Sequence, residues 1–309
     1  MEFYMAPMEG LTGYIVRNAY HRHFHNIDKY FTPFIPAAKR MNSKILRDID
    51  PENNKGITLV PQLMTNNAEE VLFMHKQLAE YGYDEININL GCPSGTVASK
   101  KRGSGLLAYP DELDYFLDEL FSQANFPISI KTRIGYSSEK EWETLAGIYA
   151  KYPIHELIIH PRTRQDLYKF PVHPDAFAHA VENIPLSLCY NGDIIDVSSY
   201  EKVCNQFPSI NKIMIGRGLF RNPGLISSIK REPAPDKETL RSYHDEILEG
   251  YLAIFSGEKD ALFRMKEHWF YLGNAFENAD KYCKVIRKTS KMTEYRQAVN
   301  GIFANCPLK

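Results

Sequence analysis

The 309-residue chain holds only two tryptophans and five cysteines. Those cysteines, Cys92, Cys189, Cys204, Cys283 and Cys306, are odd in number, widely spaced and free of any C-x-x-C pair. That pattern argues against a disulfide framework and a zinc site, and a reducing cytoplasm is expected. Net charge is equally scarce. Lysine and arginine total 37 against 38 aspartates and glutamates, a formal charge of -1, so a generally basic nucleic-acid binder is excluded while a local basic face is not. No apolar run reaches the roughly 20 residues of a membrane span, and Met1-Glu2-Phe3-Tyr4-Met5-Ala6-Pro7 has neither a basic n-region nor a long apolar h-region. The protein is expected to be neither exported nor membrane-spanning. His21, His23 and His25 are the densest histidine group, but only His21 and His25 would share a helical face, and no metal site is expected.

What is present is the balance of an ordinary globular protein, 44% hydrophobic and 24% charged. Short β-like runs alternate with helical stretches to about residue 225, the pattern of repeated βα units on a parallel sheet. Strands are expected at Glu2–Ala6, Tyr30–Thr32, Ile57–Gln62, Glu85–Asn89, Ile128–Thr132, Glu156–His160, Leu186–Tyr190 and Lys212–Ile215. Between them lie amphipathic segments such as Asn66–Tyr81, whose Ala68, Val71, Leu72, His75, Leu78 and Ala79 fall on one face. The expected fold is α/β, a (β/α)8 TIM barrel over residues 1–231. An open doubly wound sheet is the alternative, although no G-x-G-x-x-G follows the first strand to support it. A stiff proline-punctuated linker, residues 232–237, leads to a small all-α domain over 238–309, with helices expected at Lys237–Ser256, Glu258–Glu277, Ala279–Lys288 and Thr293–Phe303.

The stretch Asn89-Leu90-Gly91-Cys92-Pro93 organises the chain. Gly91 and Pro93 force a turn after a buried strand and so present a thiol at the strand's end. A polar, basic, glycine-punctuated loop follows through Gly105, carrying Lys100, Lys101 and Arg102, of the kind that covers a site. A lone cysteine is more often a small buried hydrophobe than a catalyst, and the flanking loop argues for function. Nearly every other predicted strand also ends in polar or special residues: Gln62, Lys131, His160 then Arg162, Asn191-Gly192-Asp193, Gly216-Arg217-Gly218. In a barrel those ends converge over one mouth. Glycine turns after strands seven and eight, with Arg217 beside them, suit a phosphate cradle; the plainer reading is two tight turns and a surface charge. In the helical tail, Lys281, Lys284 and Lys288 recur at helical spacing as a basic stripe suited to a phosphate backbone, or are simply a solvated face.

These residues resemble those of the dihydrouridine synthases, flavin enzymes that reduce uridine in transfer RNA. The matching motifs run in order through most of the chain: Ala6-Pro7-Met8-Glu9-Gly10, Pro61-Gln62-Leu63, Asn89-Leu90-Gly91-Cys92-Pro93, Gly103-Ser104-Gly105-Leu106-Leu107, Lys131-Thr132-Arg133, His160-Pro161-Arg162-Thr163, Asn191-Gly192-Asp193 and Gly216-Arg217-Gly218. The resemblance implies an FMN barrel with a C-terminal helical domain that grips tRNA, and NADPH or NADH as a transient reductant. It implies that Pro7, Met8, Glu9, Gln62, Lys131, His160, Asn191, Gly192, Asp193, Gly216 and Arg217 hold the flavin, and that Asn89 and Arg162 position the target base. Lys100, Lys101, Arg102, Lys281, Lys284 and Lys288 are then expected to meet the RNA. The chemistry is hydride addition to C6 of uracil and protonation of C5, a slow step unless an acid is held in place, and Cys92 is the expected acid. Gly13, Pro33 and Pro161 depart from the usual pattern of the family. A flavin barrel acting on a free pyrimidine, of the dihydroorotate dehydrogenase type, is the nearest alternative, and a non-catalytic RNA-binding barrel a further one. A monomer is expected.

Overall fold

The computed structural model describes all residues, 1–309. The chain packs as two compact units, the first made of Met1–Pro7, Asp28–Gly192 and Cys204–Met214, the second of Met8–Ile27, Asp193–Val203 and Ile215–Lys309.

The first unit is built on a sheet of short parallel strands: β1 (Glu2–Met5), β2 (Lys29–Phe31), β3 (Ile35–Pro36), β4 (Leu59–Val60), β5 (Gln62–Met64), β6 (Ile86–Leu90), β7 (Ile128–Gly135), β8 (Glu156–Thr163), β9 (Leu188–Tyr190) and β10 (Lys212–Ile215). Their order is β3-β5-β6-β7-β8-β9-β10-β1-β2-β4. Only Pro61, which cannot donate to a ladder, separates β4, at one end of that order, from β5, which lies next to β3 at the other end, so β4 and β5 are halves of one run. One half pairs with β2 and the other with β6. The sheet therefore closes on itself as a (β/α)8 TIM barrel, with β2 and β3 likewise two halves of one stave.

Strand Ile86–Leu90 is buried throughout, with Ile86, Ile88 and Leu90 alternating with Asn87 and Asn89. Inside the barrel, Tyr4, Ala6, Phe31, Val60, Ile158, Cys189 and Met214 make an apolar layer. Two residues further along the same strands, and so on the same face, stand Gln62, His160 and Asn191. The polar positions thus lie above the packed layer, towards the carboxyl ends. β7 and β8 run on through Gly135 and Thr163, which places Lys131 and His160 within strands and not at their ends.

The helix expected at Asn66–Tyr81 spans Ala68–Ala79 and buries Ala68, Val71, Met74 and Leu78. Ala79, expected on the apolar face, is exposed, because the buried stripe steps from 71 to 74 to 78 and leaves Leu72 and His75 at its edge. His75 there stacks on Phe126, ring centroids 3.4 Å apart.

In the second unit the C-terminal region is all helical: Lys237–Ile254, Glu258–Leu272, Asp280–Lys288 and Met292–Asn305. Asp236 caps the first by accepting from Thr239 N–H at 2.8 Å. The second stops five residues short of the expected Glu277, since Gly273 starts a 3-10 turn and a Cβ there would lie 2.6 Å from Cys283 Sγ. The helix Tyr14–Phe24 packs in the same unit: Tyr20 Oη donates to Pro223 O at 2.9 Å, and His23 Nε2 sits 3.0 Å from Glu246. No helix is long and apolar enough to cross a membrane.

Candidate active site at the barrel mouth

Register sets the site. Asn87 pairs with Gln62 and Ser129, Asn89 with Lys131, and Arg133 with His160, so their side chains stand in rows across neighbouring strands. The rows are joined by hydrogen bonds of fixed direction. The Glu85 carboxylate can only accept when ionised, so Ser129 donates to it at 2.7 Å. Ser129 Oγ then accepts from Asn87 Nδ2 at 2.9 Å, Asn87 Oδ1 from Gln62 Nε2 at 2.8 Å, and Gln62 Oε1 from Asn89 Nδ2 at 2.7 Å. Asn89 Oδ1 is left to accept the backbone N–H groups of Gly91 and Cys92, at 3.0 and 2.9 Å. Every amide orientation follows from the carboxylate at one end, itself paired to Lys29 at 3.0 Å. The chain of bonds ends on the backbone of Cys92.

The turn that carries Cys92 is held from its other side too. Ser104 donates to Cys92 O through its hydroxyl at 2.7 Å and its N–H at 3.1 Å. Gly103 takes φ +55°, and a Cβ on it would come within 3.1 Å of Cys92. Arg133 donates through Nε to Gly91 O at 3.0 Å and through Nη1 to Thr163 O at 2.7 Å. Cys92 is a free, partly exposed cysteine. The segment expected as a loop contains a single helical turn, Gly95–Ala98.

Lys131 stands beside this turn, half-buried, and no carboxylate pairs with it. Desolvation, with the Arg133 charge next, pushes its ammonium down to about 8. The fold holds a cation here and supplies no anion. Next in the ring, Arg162 donates to His160 Nε2 at 3.1 Å and to Phe170 O at 2.7 Å. Since a guanidinium only donates, His160 accepts at Nε2 and carries its proton on Nδ1. Asn191 donates to Met214 O at 2.8 Å and so ties β9 to β10, and a Cβ on Gly192 would meet Val172 at 3.0 Å. The structure thus brings Cys92, Asn89, Gln62, Lys131, His160, Arg162, Asn191 and Gly192 into one barrel, along with Pro7, which follows β1.

The sequence-predicted residues of the second unit form their own groups. Met8 O accepts from Leu11 and Thr12 N–H in a turn, both at 3.0 Å, and Glu9 is exposed. Arg217 pairs with Asp193 at 2.8 Å, just after Gly216. Of the basic loop residues, Lys101 pairs with Glu112 at 2.5 Å and Arg102 with Glu70 at 3.2 Å, while Lys100 is exposed. Lys281, Lys284 and Lys288 are exposed on the helix Asp280–Lys288, which borders a cleft of about 340 Å³ lined also by Phe270 and Arg287.

Sequence reasoning passed over Arg133, which the structure buries at 1% exposure as the brace of the cysteine turn. The signal was an arginine two positions beyond Lys131 in an apolar strand, a residue type almost never buried without a purpose.

The sequence model of the family described as dihydrouridine synthase (Dus) matches residues 4–306. The chain belongs to the dihydrouridine synthase family. A protein of Staphylococcus aureus (strain COL) named probable tRNA-dihydrouridine synthase is 29% identical over 280 residues, covering 85% of this chain and 80% of that protein. Bacillus subtilis (strain 168) has a probable tRNA-dihydrouridine synthase 2 that is 31% identical over 235 residues, 72% of this chain and 70% of its own length. Among solved structures, morphinone reductase superposes with a TM-score of 0.52 at 12% identity, over 77% of this chain and 88% of its own. That likeness is one of fold, and it is the barrel fold described above. As a dihydrouridine synthase family member the chain is an oxidoreductase, and the cysteine turn and its braces fall inside the matched span.

Proposed function

We propose that the chain is a tRNA-dihydrouridine synthase that reduces the C5=C6 bond of specific uridines in tRNA to 5,6-dihydrouridine, with FMN as its resident cofactor and NADPH or NADH as reductant. The observation that carries this reading is the Cys92 turn, fixed from both sides next to a half-buried lysine for which the side chains provide no anion. The residues fit a flavin. Lys131 would hold the electron-rich edge of its ring, Gln62 and His160 would bound it, and Asn191-Gly192 would take its phosphate end where close approach requires glycine. Pro7, Met8, Glu9, Asp193, Gly216 and Arg217 complete the set that the family motifs imply. When bound, the flavin would supply a hydride to C6 of uracil.

The protein's own part is to bind, orient and protonate. Cys92 gives its S–H proton to C5, so that hydride and proton together saturate the double bond. The fixed turn keeps the thiol where carbon protonation is otherwise slow. Asn89 has Nδ2 capacity beyond its bond to Gln62 and can direct a uracil carbonyl. Arg162 is aimed by its bonds to His160 and Phe170 and meets the other polar edge. A base must leave its stack to enter the barrel, at a cost of a few kcal/mol. Contacts from Lys100, Lys101, Arg102 and the Lys281, Lys284 and Lys288 stripe to the RNA backbone offset that cost. We propose that the enzyme works in the cytoplasm as a monomer.

The test is an absorbance spectrum of the purified protein with mass analysis of RNA nucleosides from cells lacking the gene, before and after its return. Flavin peaks and dihydrouridine that disappears on deletion and reappears on complementation are expected. Flavin with unchanged dihydrouridine would refute the substrate, and colourless protein the cofactor.

A further inference from the structure

The segment Arg164–Val172, which follows β8, carries three neighbouring apolar side chains in solvent: Leu167 at 38% exposure, Tyr168 at 53% and Phe170 at 58%. Such a patch costs solubility and is ordinarily buried or used. Its backbone is nevertheless tightly held. Arg133, the same buried arginine that braces the cysteine turn, donates to Leu167 O at 3.1 Å, and Arg162 donates to Phe170 O at 2.7 Å. Asp166 accepts from Thr163 N–H at 2.7 Å and faces His173 Nε2 at 3.0 Å. Leu167 takes φ +51°, an unfavourable conformation for a branched side chain, and the clamp holds it there. The Tyr168 ring lies 5.8 Å from His160 and 5.3 Å from the Arg133 guanidinium, so it borders the proposed site, and Phe170 follows two residues on.

We infer that Tyr168 and Phe170 form a stacking platform for an unpaired RNA base next to the target uridine. The inference rests on the tRNA reading proposed above. Extracting one nucleotide from a folded RNA unstacks its neighbour, and that neighbour needs a new π-face. Aromatic rings supply one without selecting a base. A segment whose backbone is already clamped loses less entropy on binding than a free loop, and Lys169, exposed between the two aromatics, suits the adjoining phosphate. A nicotinamide ring is the competing occupant, and the reductant's own kinetics separate the two.

The experiment compares wild type with Phe170→Ala, Phe170→Leu and Phe170→Trp, reading the rate of flavin reduction by NADPH without RNA and then kcat and KM for tRNA. A transcript abasic at the nucleotide on either side of the mapped dihydrouridine is the second substrate. Phe170→Ala and Phe170→Leu are expected to raise KM for tRNA by about 5-fold to 100-fold, the range for a lost stacked base. Phe170→Trp should restore it, and flavin reduction should not change. On one abasic transcript the variants should equal wild type, because the lost partner is the same. An unchanged KM, a leucine that serves as well as tryptophan, or slowed flavin reduction with normal tRNA kinetics would each overturn the platform. Wild type that makes no dihydrouridine would instead overturn the reading beneath it.

Discussion

At Cys92 the fold separates two tasks that one side chain often combines. Position comes from the backbone, through Asn89 and Ser104, and the proposed reaction asks of the side chain only the proton for C5. Cys92→Ala should therefore keep the flavin and its reduction by a nicotinamide while dihydrouridine formation drops by about 100-fold or more, the usual loss with a positioned acid. Single-turnover assays would check this, and a variant with full turnover would remove Cys92 as the acid. Lys131 makes the opposite bargain, with its charge held where the fold opposes it. Its ordinary value is 10.5 and burial lowers it to about 8, so between those values the unfolded chain binds the extra proton. Stability of the flavin-free protein should then be lowest below pH 8 and rise as pH climbs from about 8 towards 10.5. Lys131→Met should flatten that rise and raise the melting temperature of the flavin-free protein at pH 7. It should also weaken flavin retention. A melting curve series from pH 7 to 10 that shows the same slope in both proteins would contradict the assignment.

The cysteine turn and the segment from Gly95 to Gly105 behave as one element because glycines let their backbones touch. A Cβ on Gly105 would lie 2.5 Å from Ala98 Cα and from Ala98 O, which are backbone atoms that cannot swing aside. Gly105→Ala should displace the turn, cost about 1–3 kcal/mol in denaturant unfolding, and lower kcat more than it raises KM. Normal kcat with lowered stability would show that Cys92 is positioned independently of this segment. How much of this was readable beforehand varies with the kind of signal. The strands from Glu2 to Ile215 were legible because buried β-branched runs bounded by turns leave a local trace. So was the Gly91-Cys92-Pro93 turn. The extension of β7 to Gly135 and β8 to Thr163 was not, since Arg133 and Arg162 read as breaks in an apolar pattern until the carbonyls that receive their hydrogen bonds are known. The direction of the Gln62, Asn87 and Asn89 amides was also hidden. It depends on Glu85 and Ser129, which reach them only through strand pairing. Lys101 and Arg102 looked like free cations because Glu112 and Glu70 are distant in sequence.

For the whole molecule, a formal charge of -1 leaves no general attraction for RNA, so any grip must come from where the cations are placed. Lys101 and Arg102 already share their charge with carboxylates and so have less to offer an incoming phosphate. The helix Asp280–Lys288 is different. Lys281, Lys284 and Lys288 are exposed along it and no carboxylate pairs with them, and Arg287 lines the adjoining cleft beside Phe270. Each phosphate neutralised by such a cation releases a condensed counterion, so the number of contacts is read as the slope of log affinity against log salt. Replacing Lys281, Lys284 and Lys288 together by alanine should weaken tRNA binding at low salt and flatten that slope by about two to three. The side chains project into water, so the fold, the flavin content and nicotinamide oxidation should stay as they were. A filter-binding series from 50 to 300 mM salt, on the order of the range where such slopes are resolved, would decide the matter. Weaker binding with the wild-type slope would mean that the triple change disturbed the helix, whereas an unchanged slope and affinity would place the RNA on another face and leave this stripe as solvated surface.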